Sequence, residues 1–144
     1  MIRLATRVFA LGALIAGVSV SSAACKGTTA AASTAPTPVS TTETFTGSLT
    51  QTGTNTYTFI VGLSGTVSIS LTDVQPLSTM AIGVGIGSWS GTTCTSITKN
   101  DNSKSGSAAL SGTAAAGSYC LQVYDSGNIL AGTTVTYSVQ VVHY

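Results

Sequence analysis

The chain is 144 residues long, with a formal net charge of +1 and only 6% charged residues. That length suits a single domain. Five Lys and Arg in all leave no basic patch, so nucleic acid is excluded as a partner, and so sparse a charge gives no steering toward an ionic ligand.

The first 24 residues stand apart. Arg3 and Arg7 make a basic start, Val8 to Val20 is an uncharged and mostly apolar run, and Ser22, Ala23 and Ala24 are small. This pattern predicts a cleaved signal peptide over residues 1–24. The apolar run falls short of the roughly 20 residues that a membrane-spanning helix needs. Cys25 follows at once, and the junction resembles the lipobox of bacterial lipoproteins, whose cysteine is acylated and becomes the new N-terminus. Ser22 departs from that motif, which usually carries an aliphatic residue there, and Ser22-Ala23-Ala24 also suits ordinary signal peptidase. Two outcomes therefore stand: a lipid-anchored envelope protein carrying its lipid on Cys25, or a secreted one.

From Cys25 on, Lys26, Lys99 and Lys104 face Glu43, Asp73, Asp101 and Asp125, a net charge of 3 − 4 = −1. Ser and Thr make up 41 of these 120 residues. Residues 25–42 hold little beyond Ala, Ser, Thr and Pro, which cannot bury enough surface to offset the entropy of ordering. They read as a flexible tether, stiffened locally by Pro36 and Pro38.

The pattern then changes to period two over residues 43–144. Asn55, Tyr57, Phe59 and Val61 share one side of a strand. Val67, Ile69 and Leu71 alternate with Thr66, Ser68 and Ser70. Ile82, Val84 and Ile86 alternate with glycines; Tyr119, Leu121 and Val123 alternate with Cys120, Gln122 and Tyr124; Val135, Tyr137, Val139 and Val141 alternate with Thr136, Ser138 and Gln140. Shorter strands are expected over Thr44 to Thr50, Cys94 to Thr98 and Ser105 to Ser111. Turns are expected at residues 51–53, 63–65, 90–91, 100–102, 116–117 and 125–128. Alternation with a polar second face predicts half-buried antiparallel strands. Seven or eight of them, with no helical pattern after the signal, predict an all-β antiparallel sandwich, jelly-roll-like.

Cys94 and Cys120 fall within this region. An exported chain meets an oxidising compartment, and zinc would need four ligands where only His143 could join these two, so a Cys94–Cys120 disulfide is expected. Cys25 remains as the odd one, which is the second reason to expect lipid on it.

The run FTGSLTQTGTNTYTFIVGLSGTVSISL, with AAAGSYCLQVYD and VTYSVQV near the end, resembles the bacterial pre-peptidase C-terminal domain over roughly residues 43–142. The resemblance implies a β-sandwich that serves as a non-catalytic accessory module, with relatives that bind polysaccharide or collagen. The resemblance departs in one respect: no peptidase is expected within these 144 residues.

Candidate sites are few. His143 is the sole histidine and is expected to be an exposed end residue. Asp101 and Asp125 are the one carboxyl pair that folding could bring together, although both sit in turn-like segments where Asp caps its own backbone. Gly83 to Gly87 is read as a strand with one bare face, covered by Trp89 or Tyr124 or left open as a ligand groove, and not as a phosphate loop, which must lead into a helix. Asn100, Asp101, Asn102, Asp125 and Asn128 are too poor in carboxylates for a calcium cage. Trp89 and Tyr124 are the expected ligand-binding residues: surface rings stack on sugars while neighbouring hydroxyls and amides bind their OH groups, unless Trp89 packs over the disulfide instead. Polysaccharide or matrix polymer is thus the expected partner, with the membrane reached only through lipid and with no cofactor. Self-association of a structural protein is the alternative.

Overall fold

The computed structural model describes residues 37–144. The expected signal segment, Cys25 and most of the expected tether lie outside them. Eight strands follow in chain order: β1 Thr41–Leu49, β2 Thr54–Val61, β3 Gly65–Gln75, β4 Ile82–Trp89, β5 Cys94–Ser103, β6 Ser107–Ala114, β7 Gly117–Tyr124 and β8 Val135–His143. They form two four-stranded sheets, in the orders β1-β8-β3-β6 and β2-β7-β4-β5, with every pair antiparallel. This is a sandwich with the strand order of a jelly roll.

Alternation builds the core. Val67, Ile69 and Leu71 of β3 and Val135, Val139 and Val141 of β8 face Phe59, Val61, Val84, Leu121 and Val123 of the other sheet, all buried. The opposite parity is hydroxyl-rich: Thr42, Thr44, Thr46 and Ser48 of β1 are all exposed. At one end the two sheets are joined by polar groups. Asn55 donates to Tyr137 Oη at 2.8 Å, the Tyr137 and Tyr57 hydroxyls bond at 2.8 Å, and Tyr57 donates to the Thr46 carbonyl at 2.9 Å. Desolvation, then the bond to Tyr57, raises the Tyr137 hydroxyl's pKa above its usual range. Both hydroxyls lie over Gly47, where a side chain would meet them.

Two local expectations are corrected. The segment 100–102 is strand, not turn: β5 carries two register shifts against β4, and each bulge absorbs an extra residue and lets the strand run on to Ser103. Asp101 is therefore a strand residue. Asp73 sits at a register shift within β3, where its Oδ1 accepts from Gln75 Nε2. His143 is not an exposed end residue. It is 4% exposed, because β8 keeps its parity through position 143 and carries the ring to the inner face.

Candidate functional site

The outer face of the β2-β7-β4-β5 sheet is fixed by register, since residues directly opposite point the same way. β4 pairs regularly with β7: Gly83 faces Tyr124, Gly85 faces Gln122 and Gly87 faces Cys120. Trp89, two residues on, has the parity of these glycines and is opposite Cys94 on β5. Thr54, Thr56 and Thr58 of β2 extend the same rows beyond Tyr124, Gln122 and Cys120. Trp89, Tyr124 and the two cysteines thus share one face.

The glycine row is largely covered. The Tyr124 ring lies over Gly83, so closely that a Cβ there would strike it. At Gly87 the start of β5 curls over β4, with the Thr95 carbonyl against the position a side chain would take and Cys120 Sγ 3.0 Å from it. That curl brings Cys94 and Cys120 to a Cα separation of 5.8 Å, and they are bonded. Two bulky features, a ring and a disulfide, therefore each need a glycine beneath them. Gly85 alone keeps ordinary contacts, with Lys99 Cβ at 3.5 Å and Gln122 Cβ at 3.9 Å.

Tyr124 is half-buried and its hydroxyl donates to Asp101 Oδ1. Desolvation, followed by that bond and the carboxylate's charge, raises its pKa, so the phenol stays protonated. Lys99 Nζ is 3.6 Å from Asp101 Oδ2 and 6.0 Å from the centre of the Tyr124 ring, the outer limit of a cation–π contact. Trp89 is half-buried as well. Both expected ligand residues therefore spend part of their surface on the fold.

The carboxyl pair does not act together. Asp101 holds Tyr124 and Lys99, while Asp125 accepts from four backbone N–H groups, those of Thr52, Gly127, Asn128 and Ile129 at 2.8 to 3.1 Å. Among the described residues no group of three His, Cys, Asp or Glu is placed to hold a metal.

Sequence reasoning missed one pair. His143 Nε2 lies 2.9 Å from Glu43 Oε1 and Nδ1 lies 3.4 Å from the Tyr144 main-chain oxygen. Both ring nitrogens thus lie beside oxygen atoms of the protein itself. A sequence signal existed: the odd-numbered parity of Val135 to Val141 extends to 143, and Glu43 shares parity with Phe45 and Leu49.

Neither a protein-family model nor a curated protein matches the sequence. Among solved structures the chain is similar to the pre-peptidase C-terminal domain of collagenase from Bacillus anthracis, with a TM-score of 0.49 and 22% identity over 69% of this chain and 87% of that one. It is similar, at the same score, identity and coverage of this chain, to 83% of Aeromonas hydrophila PliG, a periplasmic inhibitor of g-type lysozyme.

Proposed function

We propose that the protein is an exported, non-catalytic surface module that holds a neutral polysaccharide or matrix polymer across the outer face of the β2-β7-β4-β5 sheet. One observation carries this reading: Trp89 and Tyr124 stand on the same face, six positions apart in the β4 register. At about 3.3 Å per residue that is roughly 20 Å, several sugar units of an extended chain. Gln122 and Thr56 lie between them as hydrogen-bonding groups, and the only charges in the rows are the mutually paired Lys99 and Asp101. The burial of His143 and the separate duties of Asp101 and Asp125 support a binding role over catalysis. Lipid on Cys25, followed by the tether, would hold the domain at the membrane surface. Plain secretion is the alternative.

Isothermal titration with soluble cellulose, xylan and chitin oligomers, compared with Trp89→Ala, tests the reading. Binding that weakens about five- to tenfold in the variant, on the scale of one aromatic contact, is the expected result. Wild type that binds none of these and no collagen peptide sinks it. The second reading, a self-associating envelope protein, draws on the edge strands β1, β2, β5 and β6, each with one unpaired side among the described residues. It expects a concentration-dependent oligomer by sedimentation in place of glycan binding.

A further inference from the structure

We propose that the corner where β1, β2 and β8 meet is a docking surface for a protein partner that inserts a single lysine or arginine side chain. A recess of about 460 Å³ opens there, lined by Thr41, Glu43, Phe59, Ile60, His143 and Tyr144 among others. Its floor is built, not incidental. His143 is 4% exposed, and its ring centre sits 5.5 Å from that of Phe59. A carboxylate only accepts, so the 2.9 Å bond to Glu43 is donated by Nε2–H and aims the carboxyl group. The Tyr144 main-chain oxygen beside Nδ1 is in turn held by the N–H groups of Gly62 and Leu63, at 2.7 and 3.1 Å.

The Glu43 side chain is 35% exposed, and among the described residues only its Oε1 is engaged, with no Lys or Arg within ion-pair distance. An oriented carboxylate oxygen in a recess walled by aromatic and aliphatic side chains matches a cation on an alkyl stem: the head is bonded and the stem is covered. The rim identifies the carrier as protein. Two large apolar side chains exposed to solvent stand here: Ile60, 68% exposed, lines the recess, and Leu63, 57% exposed, adjoins it through its N–H bond to the Tyr144 main-chain oxygen. Apolar residues clustered around a charged recess form an anchor with a hydrophobic surround, as protein interfaces do. The unpaired edges of β1 and β2 beside it offer main-chain groups to an extended segment.

The test uses two blocked pentapeptides, Thr-Val-Arg-Val-Thr and the same with citrulline, the neutral isostere of arginine, titrated into the full-length protein and read by amide NMR. The arginine peptide is expected to move Glu43, Thr58, Ile60 and Tyr144, and the citrulline peptide to bind about tenfold more weakly, as loss of one charge-assisted pair predicts. Glu43→Gln should erase the difference between the two. Should that variant misfold, Ile60→Ser, which alters only an exposed rim residue, should still weaken the arginine peptide several-fold. Equal binding of both peptides, or no movement at these amides, overturns the proposal. So does butylammonium binding as well as the peptide, which makes the site one for free amines, or a dimer that Ile60→Ser abolishes, which makes the occupant a second copy.

Discussion

Four backbone N–H groups converge on the Asp125 carboxylate, and one of them belongs to Thr52, which adopts a left-handed φ of 59° that non-glycine residues rarely take. One side chain thus fastens the β1–β2 turn to the β7–β8 loop. Slight desolvation pushes the carboxyl's pKa up, but the four bonds outweigh it and hold the pKa below its ordinary value. A depressed folded pKa contributes stability that is present above the unfolded value of about 3.9 and is lost as pH falls through the folded value. Asp125→Asn should therefore melt earlier than wild type at pH 7, and the gap should narrow toward pH 2 as the carboxyl takes up its proton. Melts followed by circular dichroism at the two pH values check this; an unchanged gap contradicts it.

At the scale of elements, β4 is a strand chosen for what it lacks. Gly83 and Gly87 let a ring and a disulfide cross over it, and Gly87 pressed against the Thr95 carbonyl has no room for a methyl group. The bridge joins positions 26 apart, and the chain-entropy account gives such a loop roughly 3–4 kcal/mol. Replacing Cys94 and Cys120 by Ser together should lower the melting temperature by roughly 10–25 °C for a domain of this size. Gly87→Ala should cost about 1–3 kcal/mol through backbone displacement. Equal melts in reduced and oxidised wild type would show that the staple contributes nothing.

The strands themselves were legible because most carry clean alternation, and the disulfide because the expected export and the cysteine count left few options. β5 was cut short because Asn100-Asp101-Asn102 has turn composition; Asn100 instead turns its amide to the Ala109 carbonyl at 3.0 Å, a cross-strand use that no local pattern announces. The Glu43–His143 pair spans 100 positions, and Val142 interrupts the alternation that would have placed His143 inside. Alternation predicts the outward parity of Tyr124 but gives none for Trp89, which is the last residue of β4; the extent to which glycines beneath and Asp101 beside occupy Tyr124 depends on register, which a single sequence leaves open.

On the scale of the whole molecule, the anchoring reading stands or falls with Cys25. Expressed in a diderm bacterium with labelled palmitate, the protein should take up label and Cys25→Ala should not. Soluble, unlabelled wild type would leave secretion as the route.

β1 and β8 run antiparallel with Thr41 opposite His143. A mechanical load applied between those two positions would therefore open the ladder one pair at a time, from Thr41↔His143 toward Leu49↔Val135, and never strain all nine pairs at once. With the opposing grip moved to Val135, at the far end of β8, the same pull would run along the strands and load all nine pairs together. In single-molecule stretching, handles at 41 and 143 should give a low, ragged unzipping force, and handles at 41 and 135 a higher single rupture. The registers put Trp89 at the same end of the sandwich as Thr41, so tension between a fixed N-terminal side and a cargo held at Trp89 would follow the first, weaker route.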